Sequence, residues 1–338
     1  MPSSEDTGPE QLIERGVALA EVGRNDEALA WFEEALRLDP ASAHAWFCKG
    51  CTLSALEQFA EAAAAYLECT KRAPEQTVAW FNLGNAMQAL GEVDNALECV
   101  DLVLSLDPDD ADALINKGRL IDDRGDHAGA LACYDRALAV APDDVVGWAN
   151  RGNSLKALGR TAEALDSYRE AIRRDPENAP ALFGAGECFI AAGAHDEATE
   201  MIERGLAVWP DWPAGLVNRG VVLAHQGRHG EALEAFRAAA EVDPDEPVLW
   251  NDVGEVLLNL GRPAEALEAF DTALALSADF AGAWYGRAKT LLLLDPPNRD
   301  GAIEACEKFV ELAPPDDPLR PAAARILRIA VEGGERAE

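Results

Sequence analysis

The phrase EEALRLDP, residues 33–40, ends on a proline that recurs along the chain without a slip. Pro40, Pro74, Pro108, Pro142, Pro176, Pro210 and Pro244 stand 34 residues apart. Each closes a phrase of one kind: LECTKRAP (67–74), DLVLSLDP (101–108), DRALAVAP (135–142), REAIRRDP (169–176), ERGLAVWP (203–210) and RAAAEVDP (237–244). A fixed period of this length marks a chain of stacked supersecondary units, each too small to bury its own apolar face.

Numbering one unit 1–34 with that proline at 32 starts the first unit at Pro9. Position 8 is then glycine from Gly16 to Gly254, position 20 is alanine from Ala28 to Ala266, and position 24 is mostly aromatic (Phe32, Tyr66, Tyr134, Tyr168, Phe236, Phe270). Position 4 is large, with Trp46, Trp80, Trp148 and Trp250 among its occupants. Apolar residues at 4, 8 and 11 follow helical spacing, as do those at 20, 24 and 27, so each unit reads as two helices with one buried stripe apiece. Glycine at position 15, as in Gly23 and Gly91, ends the first helix, and proline at 32 stops the second. The expected fold is all-α: a right-handed α-solenoid of about nine helix–turn–helix hairpins with a C-terminal capping helix. The units run 9–42, 43–76, 77–110, 111–144, 145–178, 179–212, 213–246, 247–280 and 281–316, followed by a capping helix at 317–331. Residues 1–8 and 332–338 are expected to be disordered. The ninth unit departs from the pattern, with Ala288 for glycine and a two-residue insertion around DPPNRD (295–300).

The pattern resembles the tetratricopeptide repeat (TPR) family, in its superhelical multi-repeat form, and the match is ungapped from Pro9 to Phe280. The resemblance implies first helices along a concave groove, second helices on the convex side, and a non-catalytic module that binds proteins or peptides. It leaves no segment of the chain for a catalytic domain.

Composition narrows the partners. Acids outnumber bases 61 to 29, for a formal charge of −32, so nucleic acid phosphates and anionic membrane surfaces are poor partners. The acidity reads either as a solvated surface suited to a salty cytoplasm or as a means of recruiting a basic protein. The start MPSSEDTGPEQ has neither a basic region nor an apolar one, so it does not read as a signal peptide, and the seven cysteines read as reduced thiols; the expected location is cytoplasmic.

In the implied groove, position 6 reads Cys48, Asn82, Asn116, Asn150, Gly184 and Asn218 in successive units, and position 9 reads Cys51, Asn85, Arg119, Asn153, Glu187 and Val221. Asparagine is a mediocre helix former, and its amide offers one acceptor and two donors to the backbone of an extended peptide. In TPR proteins that grip peptides this way, asparagine stands at position 6, which the resemblance carries over to Asn82, Asn116, Asn150 and Asn218. Asn85, Arg119, Asn153 and Lys156 add side-chain contacts, and Phe47 and Phe81 at position 5 serve either as apolar anchors for the peptide or as packing between repeats. The carboxylate clamp that holds acidic chaperone tails is not expected, because Phe81, Val146 and Asn150 stand where its cations would be.

No catalytic residue, metal or cofactor is expected. His44, His127, His195, His225 and His229 are dispersed, and no phosphate-binding, nucleophile or metal motif is present. Cys48 and Cys51 form a C-x-x-C pair on one helix face with His44, but the spacing is that of positions 6 and 9. Two readings therefore stand beside the peptide groove: an assembly scaffold working through the convex face or the ends, and, more remotely, a thiol or metal protein.

Overall fold

The computed structural model describes residues 8–335, and among these there are nineteen α-helices and no strand. The helices fall into two compact units divided after Arg174. In the first unit the hairpins are α1 (Pro9–Glu21) with α2 (Asn25–Leu38), α3 (Ala43–Ala55) with α4 (Phe59–Arg72), α5 (Thr77–Ala89) with α6 (Val93–Leu106), α7 (Ala111–Asp122) with α8 (His127–Val140), and α9 (Val145–Ala157) with α10 (Thr161–Arg174). The second unit pairs α11 (Ala179–Ala191) with α12 (His195–Val208), α13 (Pro213–His225) with α14 (His229–Val242), α15 (Pro247–Asn259) with α16 (Pro263–Leu276), and α17 (Ala281–Leu293) with α18 (Arg299–Leu312). The last helix, α19 (Arg320–Glu335), follows. Within each unit a second helix also packs on the first helix of the next hairpin, which makes the stack continuous.

The hairpin closes on a small-to-large fit. Gly50 in α3 lies under the ring of Tyr66 in α4, and a Cβ there would stand 2.6 Å from Tyr66 Cε1. Tyr66 is 2% exposed; burying such a ring stabilises the hairpin by roughly 2–3 kcal/mol. In the first eight hairpins the turn after the first helix uses a left-handed residue, and Gly23, Gly91, Gly125, Gly159, Gly193, Gly227 and Gly261 supply it at φ 69–83°, whereas α17 ends on an extended Leu294. In the second repeat Glu57 takes that conformation instead, at φ 59°.

Position 4 has a second task besides filling space. The indole N–H of Trp46, Trp80, Trp148 and Trp250 donates to the carbonyl of Pro40, Pro74, Pro142 and Pro244 at 2.8–3.1 Å, and Trp284 does the same to Ala278. The tryptophan thereby latches the preceding loop to its helix, with or without proline.

The C-terminal end is covered by α19, which packs on α17 and α18. Arg320 donates to the carbonyls of Val310, Ala313 and Pro314 at 2.6–2.7 Å, satisfying oxygens that the end of α18 leaves unpaired. This helix begins three residues later than the expected span 317–331 and continues through Glu335, so residues 332–335 extend it rather than the tail. Of the segments expected to be disordered, residues 1–7 and 336–338 lie outside the described residues. Among the described residues no helix is long and apolar enough to cross a membrane.

Candidate functional site

In the first unit, α5, α7 and α9 together form a cleft of about 450 Å³. It is lined by Phe81, Asn85, Ile115, Asn116, Arg119 and Asn150, together with Asp112, Asp144 and Val146. Five residues singled out in the sequence thus meet in one concavity: Phe81, Asn85, Asn116, Arg119 and Asn150.

Their hydrogen bonds follow a rule that the sequence did not disclose. The position-6 amide donates to the position-9 side chain of the preceding repeat, 31 residues back. Asn116 Nδ2 donates to Asn85 Oδ1 at 2.8 Å, Asn82 Nδ2 to Cys51 Sγ at 3.8 Å, and Asn218 Nδ2 to Glu187 Oε1 at 3.2 Å. Arg119 then donates to Asn116 Oδ1 at 2.7 Å and to Gln88 Oε1. Asn116 is only 5% exposed, with both amide atoms engaged, whereas Asn85 and Arg119 are exposed. Asn150 has Arg119 at the corresponding place behind it, a donor rather than an acceptor, and its amide makes no bond of this kind among the described residues.

The remaining predicted residues are placed elsewhere. Asn153 is exposed and accepts from the Tyr168 hydroxyl at 2.7 Å. Lys156 is partly buried on α9 and takes part in interactions of its own. Phe47 leans on the Tyr66 ring at 6.0 Å and belongs to the packing between the second and third repeats, and it does not line the cleft. Asn218 lies in the second unit.

Cys48 and Cys51 sit inside α3, half-buried. Burial pushes the Cys48 thiol up to about 11 and raises Cys51 as well, although the Tyr66 hydroxyl and the Asn82 amide pull the second one back. Both are therefore thiols rather than thiolates at neutral pH, unlike an activated redox cysteine.

The second unit has a cleft of a different character, about 320 Å³, lined by Val221, His225, Phe236, Asp252, Glu255 and Asn259 among others. Burial pushes the Asp252 carboxyl up to about 6, with the nearby Glu255 carboxylate adding to the effect. His225 stacks on His195 with ring centres 5.0 Å apart.

Stacked helical hairpins presenting side chains along their first helices define a helical-repeat solenoid. The chain belongs to the tetratricopeptide repeat family: models of that repeat match residues 9–42, then 47–98, 82–145 and 195–247, then 155–215 and 223–290. Repeats of this family mediate protein–protein interaction. Among solved structures, the chain resembles a tetratricopeptide repeat protein from Parabacteroides merdae, at 18% identity over 75% of this chain and 98% of that one, with a TM-score of 0.54. It also resembles pilF of Pseudomonas aeruginosa, at 18% identity over 63% of this chain and 95% of that one, TM-score 0.56. YrrB, described as a TPR protein with an unusual peptide-binding site, is 25% identical over 57% of this chain and 97% of its own, with a TM-score of 0.49. No curated protein matches the sequence.

Proposed function

We propose that the chain is a non-catalytic module of the cytoplasm that binds an extended segment of a partner protein in the cleft of α5, α7 and α9. The observation that carries this reading is the convergence of two apolar side chains, Phe81 and Ile115, with Asn85, Arg119 and Asn150 in one concavity. An amide and a guanidinium offer donors for peptide carbonyls, Asn150 offers an acceptor for a peptide N–H, and the apolar wall takes a side chain. The asparagine ladder takes a modified form here. Asn116 works as a brace, holding Asn85 and Arg119 from beneath, and the exposed position-9 groups make the contact. Asp112 and Asp144 in the lining favour a segment with some basic character.

The test is binding of the purified protein to an immobilised peptide library, wild type against N85A/R119A/N150A. The selected peptides are expected to lose about tenfold or more in affinity, since each lost polar contact is worth about 1 kcal/mol. Unchanged binding with an unchanged melting curve rejects the cleft. A stable oligomer by light scattering that persists in the triple variant would favour the scaffold reading instead.

A further inference from the structure

Four departures from the repeat pattern, Gly205, Trp209, Trp212 and Gly215, meet around Phe183 in the second unit. Position 27 is normally alanine but is Gly205 here, and Gly215 stands where most units have alanine at position 3. A Cβ on either glycine would stand 2.6 Å from Phe183 Cε1, so the two together make room for that ring. Trp212 stacks on Phe183 at 6.3 Å with 17° between planes, and Trp209 leans on Trp212 at 5.4 Å. The outer two rings remain 42% and 43% exposed.

This platform is kept at the expense of local stability. Ser42, Asp110, Asp144 and Asn178 occupy the corresponding loop position and cap the helix that follows, each accepting a backbone N–H. Trp212 is the N-cap of α13 and supplies no such bond. The indole N–H groups of Trp209 and Trp212 make no hydrogen bond among the described residues, whereas the five position-4 tryptophans latch a carbonyl. Four of the six other tryptophans carry a cation on the indole face: Arg15 over Trp31, Arg72 over Trp46, Arg174 over Trp148 and Arg287 over Trp284, at 5.3–5.6 Å, while Trp80 and Trp250 carry none among the described residues. Neither Trp209 nor Trp212 has one among the described residues.

The surrounding loops are acidic, although the Arg204 guanidinium of α12 donates to the Pro176 carbonyl in the first of them. The loops at the same register of the second unit are DPEN (175–178), WPDW (209–212), DPDE (243–246) and SADF (277–280), which hold acids and neither lysine nor arginine. Asp211, Asp243 and Asp245 are exposed and form no ion pair among the described residues. We infer that the Trp209–Trp212 platform docks a basic segment of a partner protein, an arginine or lysine side chain lying on the open indole faces while its neighbours pair with the acidic loops. The inference does not depend on the cleft in the first unit.

A fluorescein-labelled peptide of alternating arginine and glycine is the probe, read by anisotropy near physiological salt. W209A/W212D removes both rings but adds a carboxylate, so attraction by charge alone predicts equal or tighter binding. Docking on the rings predicts binding about tenfold weaker, together with loss of tryptophan quenching by the peptide. W209F/W212F keeps aromatic faces and is expected to stay within about threefold of wild type. Equal or tighter binding by W209A/W212D overturns the proposal, and so does equal loss in both variants. Partition of the wild type onto phosphatidylglycerol vesicles that W209A/W212D abolishes would assign the platform to a membrane and also overturn it. A wild-type dimer that W209A/W212D dissociates would assign it to a second copy of this chain, with the same consequence.

Discussion

The second repeat (43–76) and the third (77–110) use one template but differ where it matters. Both have glycine at position 8, yet Gly50 lies beneath the Tyr66 ring, while Gly84 faces Val100 and Cys99, the nearest atom being 3.3 Å from a notional Cβ. Both turn left-handed after the first helix, the third repeat through Gly91 and the second through Glu57. In the groove, the second offers thiols and the third amides. A residue in this array is therefore kept for what stands opposite it, not for its place in the period.

The largest expected effect comes from the glycines. G50A forces a methyl into a rigid ring and should cost about 2–3 kcal/mol, as overpacking of a closed core does. G84A meets atoms that need to yield only a few tenths of an ångström, and the gain in helix propensity of about 1 kcal/mol offsets that, leaving it near neutral. Urea midpoints of the two variants check this. Y66V in the G50A background should recover part of the loss. Equal costs at the two glycines would mean that both serve the helix contact itself and that the ring is incidental.

The legibility of the sequence follows the same division. The all-helical repeat fold and the family were readable because proline, glycine and the apolar stripe act locally and recur at fixed spacing. The lining of the cleft was legible in part: Phe81, Asn85, Asn116, Arg119 and Asn150 were named from their repeat positions and the family resemblance. What escaped was the bond from position 6 to position 9 of the repeat before, because it joins residues 31 apart and depends on side-chain rotamers. That bond leaves Asn116 only 5% exposed in the wall of the cleft. The aromatic platform escaped for the opposite reason. Gly205, Trp209, Trp212 and Gly215 break the period around Phe183, and a reading built on the period passes over its exceptions.

A smaller effect is expected at the turn. Glu57 at φ 59° carries the strain of a side chain in the left-handed region, roughly 1–2 kcal/mol, which glycine does not. E57G should therefore stabilise the protein by about 1 kcal/mol, after allowing for the freedom glycine adds to the unfolded chain. G91A in the third repeat should do the reverse by a similar amount. A rise in stability from G91A would show that the turn tolerates a side chain and that Glu57 is unstrained.

The smallest effect concerns the slot at position 6, which the third repeat fills with Asn82 and the eighth with Asp252. Burial holds the Asp252 carboxyl near 6 in the folded protein, above its unfolded value near 4. Between those two values the folded state binds more protons than the unfolded one. Stability then falls as pH rises through about 4 to 6, and the penalty stays constant above that window. D252N installs the amide that the third repeat uses and has no charge to desolvate. It should stabilise the protein at pH 7 by about 0.5 kcal/mol, a modest figure because solvent still reaches the carboxyl. The gap between the two melting temperatures should narrow sharply near pH 4, where wild-type Asp252 is protonated in the folded state and about half so in the unfolded one, and close at lower pH. A gap that persists unchanged at pH 4 would trace the gain to packing or hydrogen bonding, and the slot would then distinguish acid from amide by shape rather than by charge.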